Sequence, residues 1–150
     1  MKAFKSKLKT KIDDICPLCG KKGKVSIKII TDRIPYKKTH LLVEDTVLCV
    51  CGYCGEGYYT PEQFRAHSRQ ANIAVKKHEH LLLGEEIIRI RQKTGLPQQK
   101  LARRLGLSVK SFAKWESNQD VQSVQMDNLL RAIDRDPTLV DYLAAFRNAA

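Results

Sequence analysis

The sequence predicts an α+β chain in which a small β-rich four-cysteine domain is followed by a five-helix domain. Three observations carry that expectation. Two C-x-x-C pairs bracket a stretch rich in Val, Ile and Thr; the hydrophobic periodicity changes character near residue 60; and five helical stretches separated by short breakers fill the rest of the chain. The expected organisation is a basic tail over 1–13, the cysteine domain over 14–60, a bridging helix and linker over 61–83, and the helical domain over 84–150.

The tail carries Lys2, Lys5, Lys7, Lys9 and Lys11 and then Asp13, Asp14 and Cys16, with no apolar core of the kind a secretory signal needs. The apolar run 47–51 has five residues, against the roughly 18 needed to span a bilayer. The chain is therefore expected in the cytoplasm, away from membranes. It holds 27 Lys+Arg against 16 Asp+Glu, for a formal charge of +11. That excess points to a polyanionic partner, most often nucleic acid.

In the first domain, Val25, Ile27 and Ile29 alternate, Ile34-Pro35-Tyr36 is β-like, and 40–51 is rich in Leu, Val and Thr, which reads as short strands. Turns fall at 20–23 and 52–57. Cys16-Pro-Leu-Cys19 and Cys51-Gly-Tyr-Cys54 are each followed by glycine, Gly20 and Gly55. Two thiolates separated by two residues chelate one ion from a tight turn, and the glycine lets backbone N–H groups turn toward sulfur. Two such knuckles predict one structural Zn2+ per chain held by Cys16, Cys19, Cys51 and Cys54. Four thiolates close the coordination sphere, so the metal folds the module and catalyses nothing. A module of about 45 residues has too little core to fold well alone, and metal binding supplies much of the deficit.

The remaining candidate ligands fail on spacing. Cys49 is left over and is assigned to packing. Cys51, Cys54 and His67 begin a C-x2-C-x12-H pattern, but Ala71, Asn72 and Ile73 stand where its second histidine belongs. His67, His78 and His80 are expected as solvated residues on a helix face. No Ser/His/Asp arrangement, paired acidic motif or phosphate-binding glycine loop is visible, so an enzyme is not expected.

After Tyr59, Thr60 can cap a helix, Pro61 suits its first turn, and Gln63 completes a capping box, which predicts a polar helix over 61–77. Further helices are predicted over 85–93, 98–105, 108–117, 124–135 and 137–146, separated by Thr94-Gly95, Gly106-Leu107, the polar run 118–123 and Asp136-Pro137. Within 98–116, Leu101, Ala102 and Leu105 form an apolar stripe, Gly106 permits a left-handed turn, Leu107 plugs the core, and Ser108 caps the next helix. Phe112 and Trp115 bury one side of that helix, and Lys110, Ser111 and Lys114 occupy the other. Glu116 is expected to buttress the fold by pairing with an arginine.

This pattern resembles the Xre/Cro-type helix-turn-helix family over residues 85–135. Pro97 stands where that family places Ser or Thr. Between Ile87 and Trp115 there are eight Lys+Arg and no acidic residue, which independently favours DNA binding. In such a domain Ser108, Lys110, Ser111 and Lys114 would enter the major groove, with the two lysines facing base edges and Gln98 holding a phosphate. Leu139, Tyr142, Leu143 and Phe146 form an i, i+3, i+4, i+7 stripe beyond a filled core and are expected to build a homodimer, which would read a palindromic operator with half-sites about 34 Å apart.

Two cysteine knuckles, Ile34-Pro35-Tyr36, a connecting helix and then Phe112-Ala113-Lys114-Trp115-Glu116 together resemble the MqsA (YgiT-type) antitoxin family. The resemblance implies a DNA-binding dimer that represses its own operon through the C-terminal domain and neutralises a ribonuclease toxin through the zinc domain. Lys110 and Lys114 replace the Asn and Arg of the family's reading helix, so the operator sequence does not transfer. Residues 1–80 hold 16 Lys+Arg against 8 Asp+Glu, whereas a surface covering a basic ribonuclease is expected to be acidic. The alternative is a stand-alone regulator with a zinc ribbon and no toxin partner.

Overall fold

The computed structural model describes residues 15–148, with side chains through 145; the basic tail over 1–13 lies outside the described residues. Strand β1 (Val25–Tyr36) and strand β2 (Thr39–Cys51) form one antiparallel hairpin, and the two-residue strand β3 (Gly57–Tyr58) adds to the far edge of β2. The strands are thus long where the sequence suggested short ones. Thr31, Glu44 and Asp45 interrupt the alternation that periodicity relies on, yet the ladder resumes beyond them: Ile30 pairs with Thr46 and Asp32 with Val43. A bulge of this kind keeps backbone pairing continuous while shifting which side chains face inward. The turn closes on Lys37, whose φ is 50°.

Helix α1 (Pro61–His78) starts as its sequence predicts. Thr60 accepts from the Gln63 backbone, and the Gln63 side chain accepts from the Thr60 backbone at 2.9 Å. The helix lies along the hairpin face that carries Leu41, Val43 and Cys49 and leaves the first half of β1 bare. Ile27 and Ile29, paired with Cys49 and Val47, remain exposed on that edge.

Beyond it come α2 (Gly84–Lys93), α3 (Gln98–Arg104), α4 (Val109–Glu116), α5 (Val124–Arg135) and α6 (Leu139–Asn148), so six helices follow the sheet. Their shared core contains Ile87, Ile90, Leu101, Phe112, Leu130 and Ile133, all essentially without solvent contact. Ser108 and Ser123 cap α4 and α5 through their hydroxyls, while Pro97 caps α3 without a side-chain hydrogen bond. Gly106, at φ 66°, makes the left-handed turn between α3 and α4. At Gly84 the constraint is proximity instead: a Cβ there would sit 2.2 Å from the Glu116 carbonyl oxygen.

Candidate metal centre and nucleic-acid interface

The two knuckles are built alike. Gly20 and Gly55, at φ 71° and 77°, each donate to the carbonyl of the first cysteine of their pair at 2.9 Å, and Cys16 and Cys51 donate to Lys21 and Glu56 at 3.0 Å. Gly52 also donates to the Lys24 carbonyl at 2.7 Å, which pins the second knuckle to the start of β1. The four ligand atoms of Cys16, Cys19, Cys51 and Cys54 lie within 4.8 Å of one another. Cys16 Sγ is 3.9 Å from Cys54 Sγ, and Cys19 Sγ is 3.8 Å from Cys51 Sγ. A disulfide would hold sulfurs about 2 Å apart. A tetrahedron with metal–sulfur bonds of about 2.3 Å has edges of about 3.8 Å. The cluster can hold a metal ion such as zinc.

Its electrostatics suit a bound cation. Backbone N–H groups of Cys54 and Tyr53 lower the Cys51 thiol to about 6, the latter donating to Sγ at 3.4 Å. At Cys54 a hydrogen bond from the Glu56 backbone works downward, but burial and the thiols of Cys51, Cys19 and Cys16 together push it up to about 11. Four sulfurs so close cannot all ionise without a cation between them. Cys49 stands apart, fully buried beneath α1 with its thiol 3.5 Å from Gln63 Oε1.

The histidines are not uniformly solvated. His67 is largely covered: its ring stacks on Tyr59 at 5.3 Å, and Nε2 lies 2.8 Å from Asp32 Oδ2. The bulge in β1 brings that aspartate under the helix, and helical periodicity alone could not show it. His78 and His80 are exposed as expected, His78 meeting Tyr36 edge-on.

On α4, Phe112 and Trp115 are buried and meet edge to face at 6.1 Å, which places them in the core and away from any intercalating position. Ser108 and Lys110 are exposed, and Ser111 and Lys114 half-buried. Glu116 is buried and takes Arg91 as its partner, with Nε 2.6 Å from Oε1. The Gln98 amide donates to the same carboxylate at 2.5 Å, so this side chain ties α3 to the end of α4. Of the stripe on α6, Leu139 and Leu143 lean against their own domain's core and Tyr142 is exposed; the Phe146 side chain lies outside the described ones. Val140, which the stripe omits, is the buried anchor of that helix.

Across residues 14–144 the chain matches a family described as the antitoxin component of bacterial toxin–antitoxin systems, MqsA. The chain belongs to the MqsA antitoxin family. The match spans both the MqsA cysteine cluster and the helices that follow it. No curated protein matches the chain significantly. Among the described residues of this MqsA family member, no helix is long and apolar enough to cross a membrane.

The sequence reading missed a buried polar network between α1 and the later helices. Lys76 has no exposed surface, and its Nζ donates to the Trp115 carbonyl and to Asn118 Oδ1, each at 3.0 Å. Asp127 accepts from the Leu82 backbone, Gln122 and Arg131. Lysine in a polar helix gives no sign of burial. The run 118–123 read as a loop, and its polar residues turn out to satisfy neighbouring backbone groups.

Proposed function

We propose that this antitoxin-family protein is a non-enzymatic, sequence-specific DNA-binding regulator that represses its own operon. Residues 98–116 act as a helix-turn-helix in that reading, and Zn2+ is the metal of the four-thiolate site. The observation that carries it is the two-sidedness of α4. Phe112 and Trp115 are buried, while Lys110 and Lys114, four residues apart, share the opposite side. A helix anchored on one face and cationic on the other suits the major groove, where a lysine donates to guanine O6 and N7. Ser108 and Ser111 contribute polar contacts at its N-terminal end. Gln98 is held by Glu116 and retains one amide hydrogen for a phosphate. When bound, zinc supplies folding free energy to the knuckle module and no reaction chemistry, since all four positions are taken by protein.

The test is competition between an operator duplex and random duplex. Lys114→Ala should weaken operator binding by about 1–3 kcal/mol and random binding by less. Equal losses on both would reduce Lys114 to a phosphate contact and remove the reading role.

A ribonuclease toxin is the proposed partner of the zinc module, and a homodimer the proposed assembly. The stand-alone regulator is supported by a specific observation: Lys21, Lys22, Lys24, Lys28, Arg33 and Lys38 are all exposed on the hairpin and first knuckle. A basic toxin would meet like charge there. Co-expression with a ribonuclease encoded beside the gene separates the two readings, since only an antitoxin restores growth.

A further inference from the structure

We propose that Lys76 positions the last turn of the reading helix and fastens it, through α1, to the metal-binding hairpin. This rests on the reading of α4 as the DNA-contacting helix.

The last carbonyls of a helix lack intrahelical donors and carry the negative end of its dipole. At the end of α4 the Trp115 carbonyl receives the Lys76 ammonium, and the following turn is gripped three more times. Asn118, left-handed at φ 54°, accepts from Lys76 Nζ and from the Gly84 backbone through the same Oδ1, at 3.0 and 2.9 Å. Its carbonyl accepts from Asn72 Nδ2 at 3.1 Å. Asn72 and Lys76 are four apart and so project from one face of α1.

Other residues of α1 hold the hairpin. Gln63 meets Cys49 near the knuckles, His67 meets Asp32 at mid-strand, and Glu79, the C-cap of α1, pairs with Lys37 at the hairpin turn at 2.7 Å. The helix is thus a strut fixed to β1 and β2 along its length and to α4 at one point. That point is a buried cation, and an aliphatic side chain there would take one of two donors from each acceptor, leaving the Trp115 carbonyl only the Asn118 backbone N–H at 3.2 Å and Asn118 Oδ1 only that of Gly84 at 2.9 Å. Lys76 has no solvent-exposed surface and cannot reach a DNA phosphate. Its contribution to binding is therefore geometric.

Its protonation is distinctive too. Burial pushes Lys76 from 10.5 down to about 8, against the opposing pull of Glu85 on α2, Asp120 in the turn after α4, and Asp127 on α5. Between pH 8 and 10.5 the folded chain binds fewer protons at this site than the unfolded chain, and stability rises with pH across that window.

The test uses the full-length, zinc-loaded chain and Lys76→Met, which keeps the length of the side chain and removes its donors. The variant should speed amide exchange at Ser117, Asn118 and Gln119 about tenfold while leaving α5 amides unchanged. It should weaken operator binding about tenfold with an unaltered salt slope, because no phosphate contact is lost. From pH 7 to 9.5 the unfolding constant of the wild type should fall about thirtyfold relative to that of Lys76→Met.

If the variant does not fold, NMR of the wild-type lysine side chains decides: one lysine titrating near 8, with its shift perturbed by Asn72→Ala, supports the assignment. Uniform titration near 10.5 overturns it, as does a folded variant with unchanged exchange and unchanged operator affinity. Failure of the wild type to bind any duplex would refute the DNA reading alone. The exchange and titration measurements would still decide whether Lys76 holds the turn.

Discussion

Replacing Glu116 tests the joint between α2, α3 and α4. Its carboxylate is about 5% exposed and accepts from Arg91 Nε at 2.6 Å, Arg91 Nη2 at 3.5 Å and Gln98 Nε2 at 2.5 Å. Glu116→Ala strands the guanidinium of Arg91. Orphaning a fully buried charge costs about 3–5 kcal/mol. The Arg91 side chain keeps about a fifth of its surface in water and recovers part of its hydration, which brings the expected loss to about 2–3 kcal/mol. Each kcal/mol shifts the melting temperature of a module of this size by about 4–8 °C, so a fall of about 8–24 °C should follow.

Glu116→Gln keeps the shape and one acceptor and should lose roughly half as much. Trp115 is the only tryptophan in the chain and adjoins the substituted position, so its emission follows unfolding of the helical module directly. A Glu116→Ala protein melting within about 2 °C of the wild type would show that the pair is solvated and that the arginine does not depend on it.

Further outcomes follow from the same geometry. One metal ion should bind per chain, and chelation or Cys51→Ser should abolish the hairpin's near-ultraviolet signal while Cys49→Ser retains the metal; zinc analysis on each variant checks this. Gly84→Ala forces a methyl against the Glu116 carbonyl and should destabilise the chain by about 1–3 kcal/mol or more in urea titration. Tyr142→Glu should split a homodimer while leaving a folded chain, whereas Leu139→Glu should unfold the module because Leu139 packs on the core. Light scattering at micromolar concentration reads the first, and a monomeric wild type would remove the proposed interface.

Much of the site was legible because its logic is local. A C-x-x-C-G segment folds by its own turn, and Thr60 with Gln63, or Ser108 before α4, sets a helix start within four residues. The arginine paired with Glu116 was expected in kind, but its identity depends on how α2 crosses α4, and sequence separation hides that. His67 was misjudged for the same reason: its partner Asp32 lies across the sheet, beyond a bulge that periodicity cannot follow. Lys76 was invisible because burial of an ammonium requires acceptors from a different module, Trp115 and Asn118. The α6 stripe shows the converse limit. Its helical spacing does not say which face turns inward, and Val140, outside the stripe, is the residue buried there.

The bare half of β1 bears on how the protein behaves in concentrated solution. Among the described residues, Ile27 and Ile29 sit on an unpaired strand edge, a surface open to the same strand of a neighbouring molecule. Lys24, Lys28 and Arg33 lie along that strand and the turn before it, and two copies brought edge to edge would align like charges at close range. The guard is electrostatic and fades with ionic strength, since the Debye length shrinks from about 10 Å at 0.1 M salt to about 3 Å at 1 M. The high-salt buffers usually chosen to strip nucleic acid from a basic protein would therefore favour its precipitation, and moderate salt with a competing polyanion would keep it dispersed.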